Sequence, residues 1–115
     1  MVNKAFYTGL ESHPHYQLAV KYLKGHGAVI TFELGCDQQT TAQFIDELKI
    51  PFMGSNFGTS STMIEQCSVF TYYHLTATQR REQGISDGLV RLSLGYEDTD
   101  LLVNDLDQAF DKLSG

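Results

Sequence analysis

At 115 residues the chain has material for one hydrophobic core and not for two, which points to a single domain. A net charge of −6, with the 8 lysines and arginines scattered, leaves no basic patch for phosphates, so a nucleic-acid partner is not expected. No apolar run approaches the roughly 20 residues that span a bilayer, and a membrane partner is not expected either.

The first twelve residues, Met1 to Ser12, show weak periodicity around Gly9 and read as an irregular lead-in. They lack the charged and apolar regions of a secretory signal, which makes the cytoplasm the expected location. From His13 the pattern turns helical: Pro14 suits a first turn, Tyr16, Ala19, Val20 and Leu23 recur at helical spacing, and Gly25 and Gly27 end the run. Ala28 to Leu34, rich in Val, Ile, Thr and Phe, predicts a strand.

Asp37 to Leu48 predicts a second helix in which Ala42, Ile45 and Leu48 form the buried stripe and Phe44 lies at its edge. Pro51 blocks its continuation, and an extended segment from Phe52 to Phe57 follows. A small-residue turn from Gly58 to Ser61 leads into a short strand, Thr62 to Gln66, and an irregular stretch through Tyr73. Thr76 to Gln83 predicts a third helix, capped by Thr76 and closed by Gly84. The last helix starts at Asp98 or Thr99 and shows an apolar face of Leu102, Leu106, Ala109, Phe110 and Leu113. Short links between the strands favour an α/β fold of the α+β type: a small, mainly antiparallel sheet with helices packed on one face.

The strand from Leu89 to Leu94 carries the most chemistry. Alternation sends Val90, Leu92 and Leu94 to one face and Leu89, Arg91 and Ser93 to the other. Arg91 is then either paired on a half-exposed sheet face or aimed at an anionic ligand, for which its planar fork of donors matches a carboxylate. Other clusters carry less. His13 and His15 are spaced i, i+2 and do not share a helix face, and Cys36 and Cys67 sit in no metal-type spacing, so no metal is expected. Glu97, Asp98 and Asp100 are explained by helix capping and the macrodipole rather than by cation binding.

The segment Gly-Ile-Ser-Asp-Gly-Leu-Val-Arg-Leu-Ser-Leu-Gly (Gly84 to Gly95) resembles the C-terminal signature of the pyridoxal-phosphate (PLP) enzymes of cysteine and methionine metabolism. That group comprises cystathionine gamma-synthases, cystathionine lyases, methionine gamma-lyases and O-acylhomoserine sulfhydrylases. The likeness begins at Tyr-Thr-Gly-Leu-Glu-Ser-His-Pro (Tyr7 to Pro14), continues through Gly27 to Leu34 and runs to Leu113. Three positions depart from the family pattern: Thr8 and Cys67 replace prolines, and Ser61 stands where gamma-synthases commonly carry glutamate. The Ser61 difference counts against a specific gamma-replacement activity, whereas Glu65-Gln66, Tyr72 to Leu75 and Gln79 to Ile85 most resemble the cystathionine gamma-synthase branch.

The resemblance implies that residues 1–115 form the small C-terminal domain of such an enzyme, without its large cofactor-binding domain. It implies that Arg91 anchors the α-carboxylate of an amino acid substrate, assisted by Asn56 in the segment Ser55 to Gly58, with Thr71 near the same pocket. Asn56 reads equally well as a turn residue, and the Thr71 hydroxyl as a partner of nearby backbone. PLP would serve the complete enzyme and not this chain alone, because none of Lys4, Lys21, Lys24, Lys49 and Lys112 stands in the family's Schiff-base motif. The expected partners are a companion large domain or further copies in a homo-oligomer. The alternative is a non-catalytic oligomerising or small-molecule-binding module built on the same fold.

Overall fold

Antiparallel pairing organises the chain. The computed structural model describes all 115 residues, Met1 to Gly115. In chain order the elements are β1 (Val2–Phe6), α1 (Tyr16–Tyr22), β2 (Val29–Leu34), α2 (Gln38–Asp46), β3 (Phe52–Met53), β4 (Met63–Gln66), α3 (Ala77–Glu82), β5 (Leu89–Ser93) and α4 (Thr99–Ser114). The five strands form one sheet in the order β1-β2-β5-β4-β3. Three of its pairings are antiparallel, and only β3 lies parallel to its neighbour β4.

The core lies on one face of this sheet. Phe32 and Leu34 of β2, Ile64 of β4, and Val90 and Leu92 of β5 meet Phe44 and Ile45 of α2 and Ala109 of α4. Period-2 alternation puts these strand residues on the helix side and leaves Thr31, Glu65 and Arg91 on the other. Neither α1 nor α3 contributes to the cluster. The mixed fold with helices on one face of a mainly antiparallel sheet therefore stands as the sequence implied.

Four local expectations are corrected. The lead-in is a strand: β1 pairs with β2 although all five of its residues are exposed. An exposed edge strand shows no buried alternation, so its own sequence gives no signal. In α2 the buried side chains are Thr41, Phe44 and Ile45, with Phe44 wholly enclosed and stacked on Phe110 at 4.7 Å. The facing helix α4 supplies that partner and moves the stripe onto Phe44. In α1 only Ala19 is buried, because the helix lies apart from the core and leaves Val20 and Leu23 in solvent. The extended segment after Pro51 forms ladder pairs only at Phe52 and Met53, the register in which β3 meets β4.

Helix starts follow local chemistry. Asp37 accepts from the Thr40 amide at the head of α2, Thr76 and Gln79 form a capping box for α3, and Asp98 accepts from the amides of Asp100 and Leu101 at α4. Gly88 permits a backbone approach no side chain would allow, since a Cβ there would lie 2.0 Å from the Leu34 carbonyl oxygen. That closeness lets the Leu34 amide donate to the Gly88 carbonyl and seats β5 beside β2.

Candidate functional site

β5 occupies the middle of the sheet, so a side chain on its open face is flanked from both sides. Arg91 stands directly opposite Thr31 of β2 and Glu65 of β4. Opposite charges at directly facing antiparallel positions attract, and here the contact is closed: Arg91 Nη2 lies 3.0 Å from Glu65 Oε2. Glu65 is only 1% exposed, whereas the Arg91 side chain retains 25% of its surface. One end of the pair is thus dry, and the other reaches toward the open side.

Around this pair Thr31, Cys67, Thr71, Tyr72, Ile85 and Leu89 line a recess of about 200 Å³. That is below the roughly 300–1,000 Å³ of drug-sized ligand sites and suits a small head group. Its wall is mixed: Leu89 and Ile85 are apolar, while the guanidinium and threonine hydroxyls are hydrogen-bonding groups. Three further contacts converge on Arg91 and Glu65. The Ser55 carbonyl accepts from Arg91 Nη2, the Phe57 ring lies 5.7 Å from the Arg91 Cζ, and Glu65 Oε1 accepts from both the Thr71 amide, at 3.1 Å, and the Thr71 hydroxyl. Arg91 Nε is buried and has no hydrogen-bond partner.

The three residues singled out from sequence come together in different ways. Arg91 forms the centre of the recess. Thr71 lines it and meets Arg91 only through Glu65. Asn56 sits between Ser55 and Phe57, which both touch Arg91, but its own Oδ1 accepts from the Phe57 amide at 2.9 Å in a local turn. Sequence reasoning missed Glu65 as a neighbour of the guanidinium; it brought the segment Ser55 to Gly58 to the same carboxylate, but not the Ser55 carbonyl and the Phe57 ring onto Arg91 itself. The available signal for Glu65 was an acid on a strand otherwise apolar or amide-bearing, yet nothing local placed it opposite Arg91.

Two titrating groups are shifted, Cys67 in the recess and Glu97 outside it. Burial, and then the negative charge of Glu65, push the Cys67 thiol up to about 11, with Arg91 acting in the opposite direction. Glu97 accepts from the Thr62 hydroxyl and amide, which holds its carboxyl below the usual carboxylate range. Glu97 therefore ties the start of α4 to the base of β4, a role the capping argument did not assign to it. No three His, Cys, Asp or Glu side chains gather as metal ligands, and no helix is long and apolar enough to cross a membrane.

The donor set of the recess does not fit PLP. No lysine lines it, and its one cation already faces an acid. Lys112 is paired with Glu47, while Lys4 and Lys21 lie over the rings of Phe6 and Tyr22. No step of cofactor chemistry can be built from these residues.

A family model described as "Cys/Met metabolism PLP-dependent enzyme" matches residues 1–111. Cystathionine gamma-synthase 1, chloroplastic, of Nicotiana tabacum is 41% identical over 97% of this chain, which corresponds to 21% of that protein. The L-methionine gamma-lyase of Fusobacterium nucleatum subsp. nucleatum is 37% identical over 97% of this chain and 28% of its own length. The solved cystathionine gamma-synthase of Xanthomonas oryzae pv. oryzae, in complex with aminoacrylate and cysteine, superposes with a TM-score of 0.89. It is 34% identical, and the match covers 99% of this chain and 30% of that one. The chain thus spans between a fifth and a third of the length of these relatives.

Proposed function

Because the chain belongs to the Cys/Met metabolism PLP-dependent enzyme family, we propose that residues 1–115 are the small C-terminal domain of such an enzyme and anchor the substrate α-carboxylate. The observation that carries this reading is Arg91: a guanidinium on the open face of a five-stranded sheet, in a recess sized for a small head group. A fixed, planar, permanently charged fork suits a carboxylate, and the adjoining apolar wall of Leu89 and Ile85 suits an amino acid whose side chain carries no charge. Asn56 and Thr71 complete the anchor from the neighbouring loops. PLP and its Schiff-base lysine would come from a companion large domain, so the chain alone does not catalyse. The reaction would be one on a sulfur amino acid, of the gamma-synthase or lyase kind that the relatives' names describe. The free thiols of Cys36 and Cys67 suit a cytoplasmic setting.

The test is complementation. The L-methionine gamma-lyase, truncated of the matching segment, would be mixed with this chain at equal stoichiometry, and PLP-dependent turnover of L-methionine would be followed. Restored turnover that is lost with Arg91→Ala supports the reading, and no restoration refutes it.

A second reading, an oligomerising module derived from that domain, is favoured by one observation: Leu18, Tyr22, Phe52 and Phe57 are all more than half exposed. Sizing chromatography separates the two. A concentration-dependent oligomer that binds no amino acid would favour the module, and a monomer would exclude it.

A further inference from the structure

We propose that Glu65 is a positioning residue for Arg91, dictating which edge of the guanidinium reads a ligand carboxylate. The inference rests on the reading of Arg91 as a carboxylate anchor and adds the device that makes the anchor selective. A guanidinium has two edges that offer two donors side by side: Nε with Nη2, and Nη1 with Nη2. Both edges use Nη2. Here Nη2 donates to the Ser55 carbonyl, and Glu65 Oε2 lies 3.0 Å from the same nitrogen as its ion-pair partner. As it stands, a ligand meets the shared donor of both edges already occupied.

The two acceptors differ in how firmly they are held. Ser55 belongs to an exposed loop between Gly54 and Gly58, and Gly58 adopts a left-handed φ of +71°. Glu65 is 1% exposed within β4, and its second oxygen is tied by the Thr71 amide and hydroxyl. A ligand carboxylate therefore displaces the Ser55 carbonyl and leaves Glu65 in place. One two-donor edge is then complete, and the side on which the Glu65 carboxylate holds Nη2 determines which one. The buried, unpartnered Nε shows that the guanidinium keeps a donor in reserve.

Glu65 also sets selectivity through charge. Among the residues lining the recess, Glu65 and Arg91 are the two that carry formal charge at neutral pH, and they cancel. A simple anion gains little from a neutralised site, whereas a planar carboxylate gains from the geometric match of two parallel hydrogen bonds. Removing the Glu65 charge should move these two ligand classes in opposite directions, which a merely structural role would not do.

The experiment is a nitrogen-15 NMR titration of the whole chain, following the Arg91 Nε–H resonance. The probes are L-serine, ethanolamine as the same molecule without its carboxylate, and sodium chloride. In the wild type, L-serine shifts the resonance saturably and ethanolamine does not. In Glu65→Gln, the Kd for L-serine rises about tenfold while chloride binds at least threefold more tightly. If that variant does not fold, Glu65→Asp keeps the charge on a shorter arm; its L-serine Kd rises three- to fivefold and its chloride affinity stays as in the wild type. An unchanged L-serine Kd in the folded variant, or parallel changes for L-serine and chloride, overturns the role of Glu65. Arg91→Lys, which has no Nε–H and is followed through the backbone amide resonances of Thr71 and Leu89, separates the two levels. If it loses L-serine while Glu65→Gln binds as the wild type does, only this inference falls. If it binds L-serine normally, or the wild type shows no L-serine response, the carboxylate anchor falls with it.

Discussion

Breaking the Arg91–Glu65 pair from both sides at once should cost less than the two single losses added together, and a double-mutant cycle measures the difference. The contact is 3.0 Å long, with Glu65 1% exposed and the arginine a quarter exposed. Exposed ion pairs contribute about 0.2–1 kcal/mol, and removing one partner of a fully buried pair costs about 3–5 kcal/mol. A pair with one dry end lies between these limits. Arg91→Met keeps the aliphatic stem but strands the carboxylate, for which we expect a loss of about 3 kcal/mol. Glu65→Gln keeps a single side-chain acceptor to share between Arg91 and Thr71, for which about 2 kcal/mol is reasonable. The double variant should lose about 3 kcal/mol rather than 5, giving a coupling of about 2 kcal/mol. For a chain of this size total stability is roughly 6–17 kcal/mol, so all three variants should remain folded. Urea denaturation of the four proteins, with unchanged slopes, gives the cycle directly. Additivity to within about 0.5 kcal/mol would refute the pairing and the argument built on it.

Three further outcomes follow from the packing and the titrating groups. Phe44→Ala removes a ring enclosed between Phe32 and Phe110 and should cost about 3–5 kcal/mol by chemical denaturation; a loss below about 1.5 would contradict the placement of Phe44 at the centre of the core. Cys67 ionises at about 11 in the folded chain against an ordinary 9.0. Between those values the unfolded chain has released the proton and the folded chain has not, so stability falls as pH rises through that window, by up to about 3 kcal/mol. Thermal melts from pH 8 to 11 should show that fall, and Cys67→Ala should flatten it. Glu97, with its carboxyl held low by Thr62, contributes stability that is present above the ordinary carboxylate range and lost as pH falls through its folded value. The stability gap between the wild type and Glu97→Gln should therefore narrow on acidification from pH 6 to pH 3; a gap of constant width would show that Thr62 does not favour the ionised form.

What could be read along the chain was whatever a few adjacent residues settle among themselves. Thr76 with Gln79, and Asp98 ahead of α4, announce helix starts because a cap is a contact between near neighbours. The alternation from Leu89 to Leu94 set Arg91 on the face opposite Val90 and Leu92, since successive strand side chains point to opposite sides whatever the partner strand. The wording of Gly84 to Gly95 carried the family. β1 escaped notice because an edge strand exposed at every position is defined by the β2 ladder and not by its own pattern.

The composition of the site was decided elsewhere. Whether Arg91 would face solvent, a backbone carbonyl or a buried acid depended on the register between β4 and β5, two segments far apart in sequence that become neighbours only when the sheet closes. That register set Glu65 opposite Arg91, and the return of the loop after β3 brought the Ser55 carbonyl and the Phe57 ring onto the same guanidinium. The sequence by itself determined that a permanent cation stands on the face of β5 opposite Val90, Leu92 and Leu94. Only the tertiary structure decided which groups share its five donors, because hydrogen bonds and desolvation act over a few ångströms in space and are indifferent to distance along the chain.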